Sequence, residues 1–341
     1  MEIEGEHSDW VDVISSVLQG SVLGGIFFNI FVDDIDDAVI KGLIQKFADN
    51  TKMAMIIRNR EDALRMQANL DSLYRWAETW KMSFNAKKCK VIHFGRNNIR
   101  YEYNLNGCIV ESSDEEKDLG VWTESDMRST KQCRAAAQTA NWALGQLMRS
   151  FHYRKSSCLV PLYKTFVRPK LEHAVAAWSP WLEGDKDTLE AVQKRLVRNI
   201  SDKVGDTYEE RLESVGLTTL TERRERGDMI ESFKVVNGFN NVNKNEWFEF
   251  RSAENTRATR STVEVREGEQ QDRKDVMFMG NVRLETRKHF FTVRVISKWN
   301  QIPDRVKSSK SVDAFKNGYD EWRRTEKNKQ QTRAIPISNV L

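Results

Sequence analysis

The chain has 341 residues, 39% hydrophobic and 30% charged, with ten Trp, sixteen Phe and five Pro, which excludes a collagen-like or low-complexity chain and supplies core material for two or three compact units. Its longest apolar stretch, Val22 to Val32, stops at Asp33-Asp34, short of the roughly 20 residues of a membrane span; Glu2, Glu4 and Glu6 have the wrong sign for a secretory leader, so an intracellular protein with no membrane contact is expected. Net charge is +4, yet residues 1–50 hold ten acids against two bases, which leaves +12 on the other 291, a balance that suits a polyanion binder and equally an ordinary charged surface.

Residues 22–40 read as a buried helix that emerges at Asp33. Two apolar runs, Leu43 to Phe47 and Met53 to Ile57, flank Asp49-Asn50 and predict a β-hairpin with its tip at those two residues. Ala63, Met66, Leu70, Leu73, Ala77 and Trp80 recur at spacings of 3 and 4, an amphipathic helix with Asn59 as N-cap. Strands are expected at Cys89 to Phe94, at Tyr101 to Val110 around an Asn106-Gly107 turn, and at Leu119 to Thr123. Helices follow: one on Cys133 to Phe151, one on Leu159 to Trp178 interrupted by Pro161 and Pro169, one on Leu189 to Ile200, and two that end at Gly216 and Gly238. The stretch 237–289 is polar and reads as a long loop or disorder, after which Phe290, Phe291, Trp299, Phe315 and Trp322 mark a terminal helical unit. The four cysteines, Cys89, Cys108, Cys133 and Cys158, contain no C-x-x-C pair and read as reduced thiols rather than a zinc site or disulfide framework.

Phosphoryl transfer to a growing nucleic acid uses two Mg²⁺ held by carboxylates that converge from separate strands, and a hairpin tip is a good position for one of them. Asp49 sits at such a tip, although a plain Asp-Asn turn accounts for it equally well. The flanking segments carry more. Ser15 to Gly24 (S-S-V-L-Q-G-S-V-L-G), Phe28-Asn29-Ile30-Phe31 and Lys46-Phe47-Ala48-Asp49-Asn50-Thr51-Lys52, then Trp76, Trp80, Met82, Phe84-Asn85, Lys88-Cys89-Lys90, Phe94-Gly95 and Asp118-Leu119-Gly120-Val121, follow one another in order. They continue through Leu162-Tyr163-Lys164, Arg168-Pro169, Leu171-Glu172, Ala177-Trp178-Ser179-Pro180 and Trp299-Asn300 with Pro303. This series resembles the palm, thumb and C-terminal region of reverse transcriptases from non-LTR (LINE-type) retrotransposons.

The resemblance implies an α+β fold: a truncated palm, in which a small antiparallel sheet packs with helices, followed by a mainly helical thumb-like region. The divisions are an acidic tail at 1–9, a palm remnant at 10–125, a thumb-like region at 126–240, the polar stretch 241–289 and a basic helical segment with a tail at 290–341. It implies an RNA template and a DNA primer as partners and Mg²⁺ as cofactor. Gln19, Gly20 and Ser21 match the loop that packs under the incoming nucleotide and template base, where a residue without Cβ lets backbone approach closely; alone, Q-G-S would be a surface turn. Asp49 matches the first aspartate of the family's F-A-D-D hairpin, a metal ligand, and Asn50 is the degenerate second position. Lys88 matches a lysine near the leaving pyrophosphate, and within Lys-Lys-Cys-Lys also reads as a solvated lysine. Lys131, Arg134, Arg149, Arg154, Lys155, Lys164, Arg168, Lys194, Arg195 and Arg198 are the candidate contacts to a nucleic-acid backbone, or simply exposed helix faces.

Departures from the family are specific. Asn50 keeps the size of the second aspartate and loses its charge; Ser16, Leu18 and Gly25 replace a Gly and two Pro of the Q-G-S motif; and the family's first catalytic aspartate lies tens of residues before that motif, where this chain has 18 residues and neither Asp9 nor Asp12 fits. Phe31-Val32-Asp33-Asp34 imitates the hairpin motif but lies too close to Gln19 for the helix that must intervene, so Asp33, Asp34, Asp36 and Asp37 read as a solvated helix end. The expectation is therefore an RNA-directed DNA polymerase by family, truncated and inactive as it stands, with a sequence-independent nucleic-acid-binding remnant and a non-functional relic as alternatives.

Overall fold

The computed structural model describes residues 2, 3, 6, 7, 20–39, 42–250, 276–278 and 280–334, and the chain divides into two compact units, Met1–Glu116 and Lys117–Leu341. The fold is α+β, with two-stranded sheets and many helices.

In the first unit, β1 (Glu2–Ile3) pairs with β2 (Glu6–His7). The helix α1 (Val22–Phe31) forms where expected, but none of its residues is buried and Val22 is 87% exposed. Its apolar side chains occupy most of its circumference, and among the described residues they find little cover beyond the contact of Phe31 with Trp80. A 3₁₀ segment, Asp33–Ala38, follows, its four aspartates exposed as the solvated end expected of them. The hairpin of β3 (Leu43–Phe47) and β4 (Asn50–Ala54) forms in the register Leu43↔Ala54 to Phe47↔Asn50. This corrects the position of its tip: the two-residue loop is Ala48-Asp49, and Asn50 is already in the strand. The register is set by the half-buried face, where Ile44 lies opposite Met53 and Lys46 points to the same side.

The amphipathic helix is α2 (Arg60–Thr79), whose N-cap Asn59 accepts from the Asp62 amide at 2.9 Å while Asp62 accepts from the Arg58 amide at 3.0 Å. One side of it packs on the 3₁₀ segment Asp33–Ala38 and another on the strands that follow. After β5 (Lys90–Val91) come β6 (Asn104–Leu105) and β7 (Cys108–Ile109), joined by Asn106 and Gly107, both at positive φ as a primed turn demands. Gln67 of α2 brackets Asn104, donating to its carbonyl at 2.7 Å and accepting from its amide at 2.9 Å. Tyr103, Leu105 and Val110 form the small core against Met66, Leu70 and Tyr74. The expected strand Cys89 to Phe94 shrinks to the two residues of β5, which pair in parallel with β8 (Glu111–Ser112).

The division falls within β9 (Glu115–Asp118), which makes a hairpin with β10 (Val121–Glu124). Leu119, expected to open that strand, instead sits in the turn with Gly120, and both have positive φ.

The second unit is helical: α3 (Thr130–Ser150), α4 (Ser156–Leu162), α5 (Arg168–Glu172), α6 (Val175–Trp178), α7 (Glu183–Asn199), α8 (Tyr208–Ser214) and α9 (Leu220–Val236). The expected Leu159 to Trp178 helix is divided into α4, a π turn at Tyr163–Val167, α5 and α6: Pro161 and Pro169, which cannot donate to the helical ladder, flank the π turn, and the left-handed Ala174 separates α5 from α6. Ala136, Ala137, Ala140 and Ala143 let α3 pack closely along α7. Leu144, Leu189, Leu196 and Tyr163 are fully buried there. Gln193 and Glu190 knit the layers: Tyr163 donates to Gln193 at 3.0 Å, Tyr208 to Glu190 at 2.6 Å, and the Leu220 amide to Glu190 at 2.9 Å.

A second core surrounds the other half of α9. It includes Phe248 and Met277 from the polar stretch, where α10 (Lys244–Trp247) leads into β11 (Glu249–Phe250), paired with β12 (Met277–Phe278); residues 251–275 of that stretch lie outside the described residues. Trp299 and Phe315, both 0% exposed, anchor the remaining helices: α11 (Glu285–Lys288), α12 (Phe291–Arg294), α13 (Ile296–Gln301), α14 (Asp304–Lys307) and α15 (Val312–Ala334). Arg294 clamps this core by donating twice to Asp228, at 2.8 Å each, and to the Ala176 carbonyl at 2.7 Å.

Candidate functional site

The β3–β4 tip presents Asp49 to solvent, with Asn50 beside it donating from Nδ2 to Asp49 Oδ1 at 3.5 Å. Ala48 holds φ +51°, a left-handed conformation unusual for a residue with a Cβ. Lys46, three residues before Asp49, bridges the hairpin to the end of α1. Its Nζ donates to the Val32 and Asp33 carbonyls at 3.1 and 3.0 Å and pairs with Asp36 at 3.1 Å. A cation at the carbonyl end of a helix is where the macrodipole favours it. Asp34 accepts from Trp76 Nε1 at 2.9 Å, and Phe31 meets Trp80 edge to face at 5.3 Å. The acidic turn thus acts as a fastener between α1, β3 and α2.

Gly20 has φ +87° and nothing within 4 Å of the position a Cβ would take, so its backbone conformation, not crowding, calls for glycine. Ser21 is exposed at the start of α1, and Gln19 lies outside the described residues. Lys88 is exposed in the 3₁₀ turn Ala86–Lys88.

These residues do not fit a two-metal centre. Asp49 is a single carboxylate whose neighbour is a neutral amide, and among the described residues no group of three or more His, Cys, Asp or Glu could hold a metal ion.

In the helical unit, the ten basic candidates separate into two sets. Four are half-buried and engaged: Lys131 lies 3.4 Å over the Trp122 ring, Arg154 donates to the Met148 carbonyl at 2.7 Å, Arg168 pairs with Glu172 at 3.7 Å, and Lys194 lies 5.4 Å from the Tyr208 ring. Burial pushes the Arg168 guanidinium below its ordinary pKa. The other six, Arg134, Arg149, Lys155, Lys164, Arg195 and Arg198, are exposed. Arg195 also donates to Asn141 of α3 at 3.2 Å.

Sequence reasoning missed an open cavity of about 340 Å³, lined by Lys117, Trp122, Gln132, Lys170 and His173 among others. Gly120 belongs to it: a Cβ there would lie 3.5 Å from His173 Nε2. No periodic pattern links these residues; the left-handed Ala174, at φ +50°, turns the chain beside His173. Also missed was Trp142, 66% exposed in the middle of α3, although its spacing from Arg134 and Arg149 is visible in the sequence. No helix among the described residues is long and apolar enough to cross a membrane.

Residues 3–134 match the family model described as reverse transcriptase (RNA-dependent DNA polymerase). The chain is 24% identical over 215 residues to the RNA-directed DNA polymerase from mobile element jockey of Drosophila melanogaster, across 59% of this chain and 23% of that protein. It is 28% identical over 214 residues to the protein of the same description from Drosophila funebris, across 58% of this chain and 23% of the relative. The chain therefore spans about a quarter of the length of the relatives it matches. No solved structure matches it.

Proposed function

We propose, from a chain whose first 134 residues are similar to reverse transcriptases and which is related to the jockey polymerases, that it is the palm-end and thumb-like part of an RNA-directed DNA polymerase of a non-LTR mobile element, and that in this form it binds a template–primer backbone without extending it. Palm, thumb-like and terminal divisions near 10–125, 126–240 and 290–341 are part of this reading, as are an RNA template, a DNA primer and Gln19-Gly20-Ser21 as the loop beneath the template base.

The observation that carries the binding half is the charge of α3: Lys131, Arg134 and Arg149 occur in its 21 residues with no Asp or Glu. Cations on a rigid helix face release counterions from a polyphosphate and read no base. The inactive half is supported by Asn50, whose amide cannot replace a carboxylate at the metal-binding turn. Without converging carboxylates the attacking 3′-oxygen is neither activated nor held in line with the nucleotide phosphate.

Anisotropy titrations of a labelled RNA–DNA duplex between 50 and 200 mM salt test the first half. Four to six phosphate contacts predict a slope of about −4 to −5 in log K against log salt. A flat response, or no binding at 50 mM, would reject it. Mg²⁺-dependent primer extension by the same preparation would reject the second half.

A further inference from the structure

The solvent face of α3 is built as a stripe. Arg134, Gln138, Trp142, Gly145 and Arg149 follow one another at spacings of 4, 4, 3 and 4, which puts all five on one side of the helix, opposite the buried Cys133, Ala136, Ala137, Ala140, Ala143 and Leu144. A neighbouring helix widens this face. Thr130 donates to Asp185 at 2.9 Å and Arg195 to Asn141 at 3.2 Å, so α3 and α7 run parallel with Arg195 beside Asn141. The same register brings the exposed Arg198 level with Leu144, next to Gly145. Behind Arg195 the exposed positions of α7 are the uncharged Ala191 and then the acid Asp187, which falls two turns back, level with Gln132-Cys133. The half of the face around Trp142, Gly145 and Arg149 is therefore flanked by cations.

Two features of that half have no role in holding the fold. Trp142 is 66% exposed, so its large aromatic surface contributes little to the core beneath it. Gly145 sits in the helix interior, where glycine costs about 1 kcal/mol relative to Ala. A Cβ at Gly145 would meet only Arg149 Nη1, at 4.0 Å, an ordinary contact. Nothing crowds the position, and the guanidinium of Arg149 reaches back over it. The consequence is a flat floor beside an exposed indole, with guanidinium groups around it.

We propose that Trp142, Gly145, Arg149, Arg195 and Arg198 form a stacking platform for an unpaired nucleotide, so that this face takes single-stranded nucleic acid in preference to duplex. The indole stacks on one base over the Gly145 floor, and the arginines hold the adjoining phosphates. Bases inside a duplex are already stacked and their faces are closed to a side chain, whereas an unpaired base offers its face to any aromatic surface regardless of its identity. The proposal rests on the nucleic-acid reading above and adds strand state to it.

The experiment compares a labelled 12-nucleotide single strand with the duplex of the same sequence, by anisotropy at matched salt and in series between 50 and 200 mM, across the wild type and four variants of the full chain. Trp142→Ala should weaken single-strand binding by about 5- to 100-fold, the loss of one stacked base, and duplex binding by less than about twofold. Trp142→Phe should recover most of the loss. Gly145→Leu raises helix propensity, so the variant should be at least as stable to heat, and yet it should bind the single strand several-fold more weakly because it covers the floor. The double variant Arg195→Ala/Arg198→Ala should weaken both ligands and flatten the salt slope by about 2.

Equal losses for both ligands with Trp142→Ala, or none for either, would overturn the platform and leave backbone binding standing. No binding by the wild type to either ligand would remove the nucleic-acid reading and the platform with it. Sedimentation of the wild type and Trp142→Ala runs alongside: a shift from oligomer to monomer with unchanged nucleic-acid affinity would make this face a protein contact and overturn the proposal.

Discussion

Two helices of this molecule have fates opposite to what their apolar content suggests. In the second unit, α9 contributes Met229, Phe233, Val235 and Val236 to a core completed by Trp299 and Phe315, and Phe233 stacks on Phe315 at 4.2 Å between centroids. In the first, α1 is richer in Val, Leu, Ile and Phe and buries none of them. Burial follows from the partners a chain can assemble around a side chain, not from the side chain's own hydrophobicity. The helices of the second unit bring those partners from more than 60 residues away, as with Asp228 and Arg294, while the first unit has one small core under α2 and an open hairpin in which Phe47 is 62% exposed.

The largest test of this contrast is a pair of truncations. Trp299→Ala empties a fully buried site and should cost about 3–5 kcal/mol in chemical denaturation. Phe47→Ala removes an exposed ring and should stay within about 0.5 kcal/mol. If the two losses were comparable, the hairpin would be covered in solution and the contrast would fail.

A second test uses pH. Burial pushes the Cys133 thiol, on the buried face of α3, from its ordinary value up to about 12. The folded chain then keeps a proton that the unfolded chain releases above about 9, so this group's contribution is constant below pH 9 and stability declines as pH rises from 9 towards 12. The decline is at most about 1.4 kcal/mol per pH unit. Denaturation at pH 8, 9 and 10 should show a shallower loss for Cys133→Ala than for the wild type, since buried tyrosines contribute equally to both. Parallel curves would mean that α3 is open at that position.

What could be read in advance follows the range of the interactions. Local chemistry was legible: Asn59 caps α2, Asn106-Gly107 turns β6 into β7, and Gly216 and Gly238 end α8 and α9 with positive φ. The alternating positions around Asp49 were enough to predict a hairpin, but the tip moved by one residue because Lys46, drawn to the end of α1, and the Ile44–Met53 pair decide the register from outside the turn. The exposure of α1 was not legible, since a helix apolar over most of its circumference ordinarily signals burial. The cavity around His173 was not legible either, because it brings together Lys117, Gln132 and Lys170, which share no period.

The two primed turns differ in the residues that occupy their left-handed positions. In the first unit Asn106-Gly107 has the residues such a turn prefers, whereas Leu119-Gly120 places a leucine at φ +47°. Strain of this size persists where surrounding packing compensates for it. Leu119→Asn should therefore stabilise the chain by about 1 kcal/mol in thermal denaturation, with little change in the unfolded chain's freedom. A destabilised variant would show that the leucine side chain makes a contact worth more than the strain.

The smallest expected effect concerns Asn50, the neutral residue beside Asp49 at the β3–β4 tip. Asn50→Asp would set two carboxylates side by side at the exposed β3–β4 tip and remove the long amide contact to Asp49. Both groups are solvated, so their repulsion is screened and the stability change should be below about 0.5 kcal/mol. Restoring the charge should also leave polymerisation at background. A phosphoryl-transfer site needs ligands that converge on two ions at fixed spacing, and two of the four aspartates of the 3₁₀ segment are committed elsewhere: Asp34 to Trp76 and Asp36 to Lys46. The measurement is primer extension on an RNA template with Mg²⁺, for the wild type and the variant side by side. Clear extension by Asn50→Asp alone would show that further carboxylates do assemble around this hairpin, and the proposal that this form binds without extending would fall.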